Sequence, residues 1–254
     1  MSTSVQHLTI LTGASRGMGL AMAHQLLQAG HQLLCISRHS NPALQAAADQ
    51  AGASLTQWAV DLADGAAAAQ RLQDWLGTHD PARFASATLI NNAGVIPALV
   101  PLRESAPADL AHALRVGLEA PMQLCAAFLG ATQDWEGERK VLNVSSGLGR
   151  RAMASQAGYC AAKAGMNHFT RCLALDEALT PNGAKVCSLA PGVIDTDMQV
   201  QLRSADAGQF PDRGSFEGLK TQGQLTRPDE AARRVLAYLA RPDFGEQPVA
   251  DVRD

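Results

Sequence analysis

Short apolar runs alternate with longer Ala- and Leu-rich stretches along the 254 residues. The runs, at 8–11, 33–36, 55–60, 87–90, 141–144, 186–189 and more weakly 249–252, have the length of strands. The stretches between them, at 17–29, 42–51, 64–77, 107–133, 156–180 and 228–240, read as helices. This alternation predicts an α/β fold. Because the strands are nearly continuous in apolar residues, both sheet faces must be covered, as a parallel sheet requires. The expected architecture is one Rossmann-like, doubly wound parallel sheet of about seven strands with helices on both faces, a single domain over 1–254. The least regular segment, 199–226, mixes glycines with charges and is expected to cover a substrate.

Composition narrows the function classes. With 46% hydrophobic but only 4% aromatic residues, the core must be built mostly from Ala, Leu and Val. A net charge of −3 gives no basic face for a nucleic acid. No apolar stretch is long enough to span a membrane, and the N-terminal Met1–His7 has no cationic lead into an apolar run, so a cytoplasmic protein is expected. The five cysteines, Cys35, Cys125, Cys160, Cys172 and Cys187, are too scattered for a zinc site or a disulfide framework. They are expected to be buried thiols, and no metal is expected.

The first strand runs into Thr12-Gly13-Ala14-Ser15-Arg16-Gly17-Met18-Gly19 and then directly into a helix. Glycines at 13, 17 and 19 let the backbone approach a pyrophosphate at the helix N-terminus, where free N–H groups favour negative charge. Gly13 to Gly17 also satisfies the GxSxG pattern of a hydrolase nucleophile elbow. That elbow takes an oxyanion-hole loop from an earlier strand, and only twelve residues precede Gly13. An NAD-binding turn places Asp or Glu after the second strand to hold the ribose 2′-hydroxyl. Here that strand ends Ile36-Ser37-Arg38-His39, with no acidic residue from Leu20 through Ala48. Arg38, with Arg16, suits a 2′-phosphate instead, so NADPH/NADP+ is the expected cofactor.

Tyr159 and Lys163, four residues apart, share one face of the 156–180 helix. An ammonium beside a phenol is expected to lower the phenol's pKa toward working pH. Upstream, the strand 141–144 delivers Ser145-Ser146 to its carboxyl end, the edge at which doubly wound sheets bind ligands. The sequon Asn143-Val144-Ser145 looks buried and is set aside.

Taken together, Thr12-Gly13, Gly17, Gly19, Asn91-Asn92-Ala93-Gly94, Ser146, Tyr159, Lys163 and Pro191-Gly192 resemble the short-chain dehydrogenases/reductases, in order and over nearly the whole chain. The resemblance implies that Ser146 binds a substrate carbonyl and that Tyr159 gives or takes its proton. Lys163 would lower the Tyr159 pKa and hold the nicotinamide ribose. It further implies that Asn91-Asn92-Ala93-Gly94 lines the adenosine side, that Asp61 touches adenine, and that Gly13, Ser15, Arg16, Gly17, Met18 and Gly19 form the phosphate turn. Pro191, Gly192, Val193 and Thr196 would hold the carboxamide. One position departs: the family's catalytic Asn would fall at Gly117, which has no side chain to hold a relay water. A backbone carbonyl, or Asn92 or Asn143, would have to substitute.

A narrower resemblance runs through Asp195-Thr196-Asp197-Met198-Gln199, Gly218-Leu219-Lys220, Gly223, Leu225, Pro228 and Pro248-Val249-Ala250-Asp251, and is to the sepiapterin reductase and benzil reductase branch. It implies an NADPH-dependent carbonyl reductase acting on vicinal dicarbonyls, with Asp251 anchoring substrate. Met198, Leu202, Phe210, Phe216 and Leu219 are candidate apolar lining. The alternatives are an alcohol dehydrogenase working oxidatively and a weakly catalytic NADP(H)-binding sensor. The family also implies a homodimer or homotetramer built on the two long helices.

Overall fold

The computed structural model describes residues 6–254; residues 1–5, most of the stretch read above for a leader, lie outside it. Seven strands form one parallel sheet: β1 (Gln6–Thr12), β2 (His31–Ser37), β3 (Ser54–Ala59), β4 (Phe84–Asn91), β5 (Glu138–Val144), β6 (Lys185–Ala190) and β7 (Val249–Asp251). Their order across the sheet is β3-β2-β1-β4-β5-β6-β7. Chain direction across the sheet reverses between β1 and β4, so their carboxyl ends open a crevice there.

Side-chain alternation explains why both faces are apolar. In β1 and β2, Leu8, Ile10, Leu34 and Ile36 point to one face, and Leu11, Leu33 and Cys35 to the other. The first face packs on α3 (Gly65–Gly77) and α5 (Ala120–Ala131), through Leu72, Leu76, Leu124 and Phe128. The second packs on α1 (Gly17–Leu26), α2 (Pro42–Ala51) and α9 (Pro228–Leu239), through Met22, Leu44 and Val235. Each such fully buried side chain contributes about 1.5–3 kcal/mol. Helix ends follow local chemistry: Asn41 caps α2 by accepting from Ala43 N and Leu44 N, and Gly52 closes it in the left-handed region.

Two expectations need correction. The helix read over 107–133 is α4 (Pro107–Leu114), a π turn at Arg115–Glu119, and α5. Pro121 has no N–H to give the carbonyl of Gly117 four residues back, and its ring crowds that carbonyl, so the coil widens. The cysteines are all free thiols, but only Cys35, Cys125 and Cys187 are buried; Cys160 is half-buried and Cys172 exposed.

The catalytic-helix candidate is α6 (Ala157–Ala178). The irregular segment 199–226 contains most of α7 (Asp197–Arg203) and all of α8 (Arg213–Thr221). These close on a small third cluster of Leu99, Leu202, Phe210 and Phe216. Among the described residues no helix is long and apolar enough to cross a membrane.

Candidate active site

One cavity of about 820 Å³ runs along the carboxyl edge of the sheet. The residues expected to hold the dinucleotide lie on its wall, from Arg38 and Asp61 to Thr196, except Asn91, which is buried in the sheet and bonded to Asn143. Ser146, Tyr159, Met198, Leu202 and Phe216 line it too. Phe210 does not reach it, being fully buried in the third cluster with Leu219 packed alongside.

The glycine turn is fitted to its place by sterics. Gly13 has φ +69, and a Cβ there would stand 2.9 Å from Ala93 Cα; one on Gly19 would stand 2.0 Å from the Gly13 carbonyl oxygen. Thr12 Oγ1 accepts from Asn92 N at 2.9 Å and Ala93 N at 3.0 Å, which joins the ends of β1 and β4 beneath the turn. Asn92 Nδ2 donates to the carbonyls of Thr12 and Gly13. Ser37 Oγ accepts from Ala14 N at 2.8 Å, so the end of β2 is committed to the turn, and Arg38 stands next in line on the cavity wall. Arg16 reaches across to Asp197, 3.0 Å away, both largely exposed. A turn that lacks Cβ atoms at 13, 17 and 19 and two nearby guanidinium groups fit a phosphorylated dinucleotide.

At the other end Tyr159 is buried, and the Ser146 hydroxyl lies within hydrogen-bonding reach of its phenol. Burial pushes the Tyr159 pKa up, and the Ser146 bond offsets part of that rise. This reverses the direction expected from the Tyr–Lys spacing. Lys163 Nζ lies 5.8 Å from the centre of the Tyr159 ring and donates to the Val144 carbonyl at 2.7 Å. Desolvation pushes its own pKa down to about 8.

A polar network invisible to spacing arguments locks these elements together. Asn143 accepts from Asn91 at 2.9 Å and donates to Thr170 at 3.0 Å, while Asn167 Oδ1 accepts from Ser145 at 2.7 Å and Ser188 at 2.8 Å. β4, β5 and β6 are thereby tied to α6, which fixes Ser146 against Tyr159. Asn167 and Thr170 went unnoticed in the sequence; their one signal is that both are polar residues on the inward face of an otherwise apolar helix stretch.

Other expected positions lie elsewhere. Gly117 is buried behind the wall, where a Cβ would come 3.2 Å from Ala162 Cβ. Asn92 and Asn143 are committed to the bonds above. Asp251 does not reach the cavity: it is 1% exposed, and its carboxylate is taken by Arg150 at 2.9 Å and Arg253 at 2.6 Å. The anchor role implied for it does not fit that position.

The family model described as short chain dehydrogenase matches residues 7–207. The chain belongs to the short-chain dehydrogenase family. It is an oxidoreductase that uses a nicotinamide dinucleotide. It is 32% identical to a benzil reductase ((S)-benzoin forming) of Bacillus cereus over 235 residues, spanning 92% of this chain and 94% of that one. It is also 32% identical to the sepiapterin reductase of Meriones unguiculatus over 247 residues, 92% of each chain. Among solved structures, a metagenomic short-chain oxidoreductase in complex with NADP superposes with a TM-score of 0.73 at 25% identity, covering 98% of this chain and 96% of that one. The resemblance and the doubly wound fold read from the sequence both hold for this short-chain dehydrogenase.

Proposed function

We propose that the protein is an NADPH-dependent carbonyl reductase. The observation that carries this reading is the convergence of Ser146, Tyr159 and Lys163 on the wall of the cavity that continues to Arg38 and the glycine turn. When bound there, a dihydronicotinamide supplies the hydride that the carbonyl carbon accepts. The protein supplies the rest. Ser146 donates a hydrogen bond to the carbonyl oxygen and holds it beside the Tyr159 phenol. Tyr159, kept protonated by burial, gives its proton to that oxygen as negative charge develops there. Lys163, with its lowered pKa and fixed ammonium, stabilises the phenolate left behind and returns a proton to it.

NADPH is favoured over NADH because Arg38 and Arg16 flank the adenosine end, and Ser37 stands where a carboxylate would repel a 2′-phosphate. Relatives named for benzil and sepiapterin support a vicinal dicarbonyl as substrate class. The α7–α8 segment forms the cover, with Met198, Leu202 and Phe216 against the substrate. Exposed Leu114, Met122, Leu175 and Leu179 on α4, α5 and α6 and the loop that follows support a homo-oligomer through these helices. Free thiols at all five cysteines suit the cytoplasm.

NADPH oxidation with benzil, sepiapterin, isatin and simple ketones tests the reading. Tyr159→Phe should lower kcat about 10²-fold or more while NADPH still binds. Near wild-type turnover in that variant overturns it.

A further inference from the structure

The part of the cavity wall built by α7 and α8 holds a cation with too little negative charge around it. Arg203, at the end of α7, has a side chain only 17% exposed. Its Nη2 lies 3.8 Å from Asp195 Oδ1, and its Nη1 is buried with no partner. Asp195 is the more closely held by Lys220, 2.5 Å from its other oxygen. Arg151, on the loop after Ser146, also faces the cavity and makes no ion pair among the described residues. Apart from the Arg16–Asp197 pair at the start of α7, three cations therefore stand against one carboxylate on this wall, in a chain whose net charge is −3. One turn before Arg203, Gln199 lines the same wall with its Oε1 unpartnered.

A guanidinium taken largely out of water and left half-answered is unfavourable unless an anion completes it. A neutral diketone cannot do so, whereas a carboxylate matches the guanidinium fork. Met198, Leu202 and Phe216 on the same wall leave the remainder of the site apolar. We propose that the substrate is a ketone carrying a carboxylate, held through Arg203 with Arg151 and Lys220 adding to the field. This rests on the carbonyl-reductase reading and narrows its substrate class.

The test compares benzoylformate with its methyl ester, and benzil as a neutral control, in NADPH-dependent reduction. The acid should exceed the ester by about tenfold or more in kcat/KM, the difference lying in KM. Raising salt from ~0.05 M to ~0.5 M should shrink that ratio. Arg203→Gln should bring it toward one, and Arg203→Lys should restore part of it. An ester reduced as well as the acid by the wild-type enzyme overturns the proposal and leaves the reductase reading standing if benzil turns over. So does Arg203→Gln weakening NADP+ binding while keeping the acid-to-ester ratio, because the missing anion is then a cofactor phosphate. Should none of the three be reduced, the reductase reading falls. Calorimetric titration of the enzyme–NADP+ complex then decides the proposal, which requires benzoylformate to bind more tightly than the ester.

Discussion

Lys163 Nζ donates to the Val144 carbonyl at the end of β5, 2.7 Å away, and not to the phenol one turn before it on α6. The strand thus fixes the ammonium next to the site, where loss of water lowers its pKa from 10.5 to about 8. A cation held this way is a ready proton donor near neutral pH, at a cost in stability.

That cost has a definite pH dependence. Between about pH 8 and 10.5 the unfolded chain keeps the Lys163 proton and the folded one does not, so this group makes stability rise with pH across that window. The full effect is about 3 kcal/mol. Cys35, Cys125 and Cys187, pushed up to about 12 by burial, act in the opposite direction above the ordinary thiol range. The informative quantity is therefore the difference between wild type and Lys163→Met in urea unfolding. The variant should be the more stable below pH 8, and the two should converge toward pH 10.5. A difference constant with pH would mean that Nζ is not desolvated.

Arg38 is the cheapest handle on cofactor choice. It lies on the cavity wall, and the preceding Ser37 is already bonded to the glycine turn. Loss of one charge-assisted contact to a phosphate is worth about 1.5–3 kcal/mol. Arg38→Leu should raise the KM for NADPH about 10- to 100-fold while NADH changes little. Equal loss with both cofactors would show that Arg38 serves the turn and not the 2′-phosphate.

Gly117 tests the π turn. An added Cβ would meet Ala162 Cβ at 3.2 Å, one residue before Lys163 on α6. Gly117→Asn gains about 0.3 kcal/mol in helix propensity but overpacks a buried contact costing about 1–3 kcal/mol. The variant should lose stability and show no gain in kcat. Adding Ala162→Gly should recover part of the loss, so the double variant is more stable than the two single effects predict. Strict additivity in thermal unfolding would exclude the contact.

The sheet, the glycine turn and the Tyr159–Lys163 face were legible because each depends on spacing within one element. The π turn was legible too, in Pro121, but the helical pattern on either side overrode it. Other features depend on what the fold brings together. Asn143 and Thr170 are 27 residues apart, and Arg150 and Asp251 are 101 apart. The Tyr159 pKa went the other way because four-residue spacing reports proximity along a helix and says nothing of desolvation.

Asp251 shows the consequence most plainly. Its side chain is 2% exposed and holds Arg150 and Arg253, whose own exposure of 42% and 60% limits what each pair is worth. Asp251→Asn leaves Arg253 without a close carboxylate and Arg150 with only Asp254, 3.9 Å away, and should cost about 1–2 kcal/mol, less than a fully buried pair would. Its pKa is lowered, by the Arg253 hydrogen bond first, so the carboxylate's contribution is complete above the unfolded value near 4. It is lost as pH falls through the folded value. The gap between wild type and variant in urea unfolding should accordingly be present at pH 7 and shrink as the pH is taken below 4. A rise in substrate KM with no change in stability would instead return Asp251 to the substrate and place its ion pairs second.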